Sequence, residues 1–455
     1  MVSEVDHVAV LARNAFASIL IEARTISRKR KNRESSGQFL PDFVSPICLS
    51  HRGALPSLEA KPIRTETTVW EDRENEMAVH FVYGLTTTWS GAILAFAEAR
   101  IGSGDDETPH HLALKRSTDS GVTWSDTIMV ERSDGNYWQT QGQPDRRECW
   151  ANPVAVADRA TGRVFVFYVL NEGAHNGKNM QRYTRNFYRY SDDEGKTWSR
   201  RVDITDLLNT KADGTPNRDA SGEWIRDVNG FPCDHLGRAF HMPGPGHGLQ
   251  LKDGRLLMQF WNRTAIGTDA GPIPREQRAY GLRVLYSDDG GTHWKAGPAF
   301  GEEIGPTESR LVELDDGSLY LNARVDGSGN TMRRRAIFVG TNQGLTWKFK
   351  GFDTEMPVYT TVDSGLLSVR HEDRQVLLLS HSRDPRRRVG LTVSASLDAG
   401  KTWMRHKELN DDGANYSDLV QLKDGTIGVI YGNGAFAHAG FPVKFIRFNF
   451  EYLGL

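Results

Sequence analysis

The octapeptide Ser191-Asp192-Asp193-Glu194-Gly195-Lys196-Thr197-Trp198 occurs five times in this chain, with variations. The other copies run 117–124, 287–294, 340–347 and 396–403, with His293 in the Thr position of the third and Asn342 in the Asp position of the fourth. The third-position Asp can accept hydrogen bonds from N–H groups of its own loop, Gly supplies positive φ, and Trp fills space against a neighbouring sheet. The motif therefore reads as a β-hairpin turn. Its tryptophans lie 74, 96, 53 and 56 residues apart, which gives a unit of about fifty residues with insertions early in the chain.

A second turn, flanked by apolar runs, precedes each copy and occurs once more after the last. Its six versions are Trp89-Ser90-Gly91, Asp158 to Gly162, Lys252-Asp253-Gly254, Asp315-Asp316-Gly317, His371 to Gln375 and Lys423-Asp424-Gly425. Asp-Gly between apolar runs is a strong hairpin signal. Six inner hairpins and five Trp-bearing hairpins give four strands per unit, six times over. The expected fold is all-β, a six-bladed β-propeller, with the last blade completed by a strand from the N-terminal side.

Composition narrows the function. The 455 residues carry 56 Lys+Arg against 58 Asp+Glu, a net charge of −2, which argues against a nucleic-acid partner. No apolar run approaches the ~18 residues of a membrane span. Cys48, Cys149 and Cys233 are too few and scattered for a disulfide framework or zinc cluster. They are expected to be free thiols. The N-terminus lacks a signal-peptide profile, so the chain as written is expected in the cytoplasm, with secretion open if the start is misassigned. Residues 1–65 form an expected appendage to the propeller of 66–455. Val5, Val8, Leu11, Ala15, Ile19 and Leu20 have helical spacing, and the basic run Arg28 to Arg33 reads as a solvated helix end or linker.

The Trp turns resemble the Asp boxes of the sialidase (neuraminidase) superfamily. Leu94 to Arg100, Asn152 to Arg163, Pro243 to Leu251, Glu308 to Leu319 and Ala414 to Leu419 are similar to inter-box segments of that family, in family order over about 66–453. The resemblance implies an exo-acting retaining glycosidase with a carbohydrate substrate, no cofactor and no metal, its site at one axial end of the propeller. It implies a tyrosine nucleophile, an exception among glycosidases. Tyr416 matches that position and Glu308 its proton acceptor. Asp105 and Asp106 are both candidates for the general acid, with spacing slightly in favour of Asp106. Arg324 and Arg388 match two of three carboxylate-binding arginines, with Arg387 an alternative to Arg388. Guanidinium suits that task because it stays charged and pairs bidentately with carboxylate.

The first arginine of the family pattern falls on Phe81, and the glutamate that braces it falls on Gly432. An orphaned buried partner is costly, so the paired loss is physically coherent. It leaves three readings open: a sialic-acid-like substrate, a different glycoside cleaved by hydrolysis or elimination, and a glycan-binding propeller without catalysis. His110, His111 and His247 lie in loops expected near the mouth, and His110 and His247 are candidate substrate contacts. Trp138, Trp150 and Trp261 suit either the mouth or the core.

Overall fold

The computed structural model describes residues 61–171, 182–268, 271–274, 277–325, 334–356, 362–434 and 440–455. The expected N-terminal helix, the basic run and Cys48 lie outside the described residues.

Six antiparallel sheets form the blades of a β-propeller. Blade 1 runs Val79–Thr87, Ile93–Arg100, His110–Ser117 and Ile128–Glu131, from the axis outward. The other inner strands are Trp150–Ala157 in blade 2, Phe240–Pro243 with Leu249–Gln250 in blade 3, Pro306–Glu313 in blade 4, Gly365–His371 in blade 5 and Ser417–Gln421 in blade 6. In blade 6 the outer strand is Arg64–Trp70, paired with Val443–Phe448 from Arg64 opposite Phe448 onward. The N-terminal side thus closes the ring, as the count of hairpins requires.

The repeated octapeptides turn between the third and fourth strands. In blade 2, Asp193 accepts from Thr197 N (2.9 Å) and Thr197 Oγ1 (2.7 Å), while Ser191 Oγ accepts from Gly195 N (2.7 Å). In blade 3, His293 Nδ1 meets Asp289 Oδ2 at 2.7 Å, which explains why His serves in the Thr position. Blade 4, with Asn342, replaces this loop by a single 3-10 turn, Asn342–Gly344. Each box sits flush on the preceding blade. A Cβ at Gly291 (φ +82) would lie 2.0 Å from the Phe165 ring, so glycine is needed there both for backbone conformation and for close approach. Trp294 packs edge-on to Phe165 and Phe167, and Trp198 to Phe96. Stability is consequently distributed over interfaces between blades.

The long interval between the second and third boxes holds a structure of its own. From Asn209 to Arg238 the chain winds through four turns, closed by Gly214 N to Lys211 O, Gly222 N to Asp219 O, Gly230 N to Asp227 O and Gly237 N to Asp234 O. Asn217 N bonds Asn209 O, Ile225 N bonds Asn217 O and Cys233 N bonds Ile225 O, a spiral with a period of eight residues.

The boxes mark one end of the propeller. The other end gathers the starts of inner strands, the ends of second strands and the starts of third strands. There three inner strands are irregular: the register shifts between Phe81 and Tyr83, between Ala151 and Val154, and between Pro306 and Ser309. Bulges of this kind re-aim side chains.

Trp138, Trp150 and Trp261 are all core residues. Cys149 and Cys233 are buried free thiols. Among the described residues no helix is long and apolar enough to cross a membrane, and no cluster of His, Cys, Asp or Glu could hold a metal ion.

Candidate active site

At the irregular end, blades 4, 5 and 6 bring four of the expected residues together. Thr307 and Glu308 share the bulge opposite Arg324, which turns the Glu308 carboxylate toward that guanidinium; Arg324 Nη1 lies 2.6 Å from Glu308 Oε2. Tyr416, placed just before the inner strand of blade 6, donates its phenol hydrogen to Glu308 Oε1. Its oxygen also lies 3.3 Å from Arg324 Nη1. Arg388 precedes the third strand of blade 5, donates to Asn415 Oδ1 (2.8 Å) and sets its guanidinium 5.6 Å from the centre of the Tyr416 ring. Asn415 is a site residue that the sequence did not single out.

The electrostatics of the phenol follow from this packing. Burial raises its pKa well above the ordinary value, the Glu308 charge raises it further, and Arg324 and Arg388 oppose both. Tyr416 is therefore a neutral phenol, hydrogen-bonded to the Glu308 carboxylate.

Blade 1 supplies the fifth expected residue. Arg100 is almost completely buried; its Nη2 lies 2.6 Å from Glu98 Oε2 and its Nη1 2.8 Å from Asp106 Oδ1. The Asp106 side chain is 58% exposed, so it faces solvent from a fixed anchor. Desolvation by the surrounding protein would raise its pKa, but the charge and hydrogen bond of Arg100 outweigh this and hold it below the usual carboxylate value. Asp105 points elsewhere, accepting from Ser103 Oγ at 2.8 Å. Of the two candidates, Asp106 is the one tied to the site's charges.

The histidines fall differently. His110 does not reach the mouth: its ring is buried, with Nε2 3.1 Å from Asp105 O, and burial brings its pKa down to about 3. It supports the loop that carries Asp106 and does not line a substrate site. His111 accepts from Ser133 N at 2.7 Å. His247 lies nearer the axis, where its Nδ1 meets Asp418 Oδ1 at 2.8 Å and its side chain is 16% exposed. Asp418 in turn accepts from Leu85 N and lies 3.6 Å from Arg310, which pairs with Asp363 at 2.5 Å. Burial pushes the Asp363 carboxyl up to about 6 against the pull of Arg310. The sequence held one signal for this network: charged residues within inner strands, where a propeller otherwise packs apolar side chains.

Phe81, at the position where the family pattern carries an arginine, sits in an aromatic cluster. Its ring lies 5.1 Å from that of Tyr416, edge to face, with Phe441 at 6.2 Å and the Arg100 guanidinium 4.6 Å over it. A Cβ on Gly432 would lie 2.5 Å from Tyr83 Oη and 2.7 Å from Phe441. Aromatic rings thus fill the space at both positions, 81 and 432.

Residues 91–429 match the BNR repeat-like domain family. The chain belongs to that family, within the sialidase superfamily. It is 27% identical over 387 residues to a sialidase of Bacteroides fragilis, covering 81% of this chain and 62% of that one. It is 27% identical over 410 residues to a sialidase of Micromonospora viridifaciens, covering 87% and 55%. The chain thus spans less than two thirds of the length of these curated relatives. Among solved structures, the Hadza microbial sialidase Hz136 superposes with a TM-score of 0.66 at 23% identity, over 84% of this chain and 68% of that one. This likeness shows the shared propeller of the superfamily.

Proposed function

We propose that this BNR-repeat protein is an exo-acting retaining glycosidase that removes a terminal acidic sugar, with Tyr416 as nucleophile. The observation that carries the reading is the contact of the Tyr416 hydroxyl with Glu308, itself held by Arg324. A neutral phenol is a poor nucleophile unless a base takes its proton as it attacks. Glu308 is placed to do so while the oxygen of Tyr416 bonds to the anomeric carbon. A phenol also avoids the repulsion that a carboxylate nucleophile would meet from an acid group on that carbon. Asp106, ionised at rest beside Arg100, takes up a proton as the acidic sugar binds and gives it to the leaving oxygen. It then takes one from the water that releases the sugar, Glu308 returns its proton to the Tyr416 oxygen, and two inversions leave the configuration retained.

Arg324 and Arg388 hold the acidic group from the side of blades 4 and 5. On the blade 1 side the floor is aromatic. Phe81 packed on Tyr416 favours a second reading in which the sugar's acid group sits differently from that of a sialoside. A panel of aryl sialosides and other acidic aryl glycosides separates the two.

The test of the main reading is Tyr416→Phe. Aglycone release is expected to drop at least about a thousandfold with the fold intact. Release that survives the change would overturn the assignment, and glycan binding without release by the wild type would make the protein a binding module.

A further inference from the structure

On the same end of the propeller, the eight-residue spiral and the start of the third strand of blade 2 enclose a cleft of about 280 Å³. Tyr183, Asp206, Asn209, Arg218 and Trp224 line it. Arg218 is fully engaged: Nε lies 3.0 Å from Asp206 Oδ1, Nη1 donates to Gly222 O at 2.8 Å, and the guanidinium lies 3.9 Å over the Trp224 ring. Tyr183 is likewise fixed, stacked on Phe231 at 5.5 Å. These side chains hold their places before any ligand arrives, which lowers the entropic cost of binding.

Asn209 is 1% exposed, and its Oδ1 is spent on His241 Nε2 at 2.8 Å. Its Nδ2 has no partner among the described residues, although buried amide groups are nearly always satisfied. The charged residues of the cleft balance, Arg185 and Arg218 against Asp203 and Asp206, so the lining suits a neutral polyol better than an ion. Aromatic rings (Trp224, Tyr183) beside polar side chains (Arg185, Asp203, Thr205) are the chemistry of pyranose recognition. The volume lies just below the usual range for drug-sized ligands and suits one sugar ring.

Position completes the argument. Blades 4 and 5 hold the arginines and blade 1 holds Asp106, so the leaving portion of a substrate departs on the side of blade 1. The cleft occupies the next sector, at the junction of blades 2 and 3. We infer that it is a sugar-binding subsite for a neutral pyranose on the leaving-group side of the glycan. The inference rests on the glycosidase reading for its role in turnover, while the binding itself does not.

The experiment compares wild type, Trp224→Ala and Arg218→Ala on an aryl sialoside and on 3′-sialyllactose. For the oligosaccharide, KM is expected to rise about 5- to 20-fold with kcat within about twofold; for the aryl glycoside both constants are expected to hold within about twofold. Equal changes on both substrates, or none on either, would overturn the subsite. If neither is turned over, saturation-transfer NMR with lactose decides: a signal in wild type lost in Trp224→Ala supports it. No signal at about 20 mM lactose, weaker than ordinary millimolar binding, would overturn it, as would displacement of lactose by inorganic phosphate.

Discussion

Phe81 and Gly432 sit on strands of different blades, yet each makes sense only with the other. An arginine at 81 would place a guanidinium beneath Tyr416 with no carboxylate to meet it, because Tyr83 and Phe441 already fill the space at 432. Phe81→Arg is expected to destabilise the protein by about 3–5 kcal/mol, read as a lower urea midpoint. Adding Gly432→Glu is expected to restore nothing. A gain in stability from the double change would show that the aromatic packing had been misjudged. Asp106 provides a second test at this scale. Asp106→Asn is expected to slow release of poor leaving groups by about 10²–10⁴-fold and of nitrophenol by much less, while Asp105→Asn leaves both within about twofold. That Tyr416, Glu308, Arg324 and Arg388 gather at one end was legible in the sequence because each stands in an ordered motif on or beside a strand. His110 was misread because it opens the third strand of blade 1 instead of standing in the loop before it, and its ring turns inward to Asp105 O. The choice between Asp105 and Asp106 needed the Arg100 contact.

The hairpins show how far local chemistry specifies an element. In four boxes an Asp gathers the hydrogen-bond donors of its own turn, and the fourth copy dispenses with that arrangement. Asp193→Ala is therefore expected to cost about 0.5–2 kcal/mol, since it removes the carboxylate that caps the turn's donors, whereas Asn342→Ala is expected to stay within about 0.5 kcal/mol. Chemical denaturation of the two variants checks the contrast; equal losses would mean that the side chain matters only through packing. The boxes and inner hairpins were read from the sequence because turn residues and alternating apolar strands coincide there. The spiral from Asn209 to Arg238 carries the same turn residues, Asp213-Gly214, Asp219 with Gly222 and Asp227 with Gly230. It has no apolar alternation between them, so it passed as an insertion without form.

Across the whole molecule, the ring is closed by Arg64–Trp70, a pairing implied by one missing Trp hairpin. The core so formed buries several histidines in the neutral state. Burial lowers the pKa of His80 and His381 to about 4 and of His110 and His241 to about 3. Unfolded histidines titrate near 6.5, so unfolding takes up protons below that pH. Asp363 and Glu98, raised in the fold by burial, oppose them by at most two protons, while His111, also lowered by burial, adds at most one. Stability is expected to be full above pH 6.5 and to fall as the pH drops toward 4, by up to about 4 kcal/mol per pH unit. A melting temperature that rises on acidification from pH 6.5 to 5 would contradict this.

A covalent bond between the sugar and the Tyr416 phenol is the central step of the proposed reaction. Incubation with a fluorinated acidic glycosyl fluoride, followed by peptide mapping in a mass spectrometer, measures it directly. The glycosyl adduct is predicted on Tyr416 and absent from Tyr416→Phe. An adduct on Glu308 or Asp106, or full turnover with no trapped species, would contradict the account.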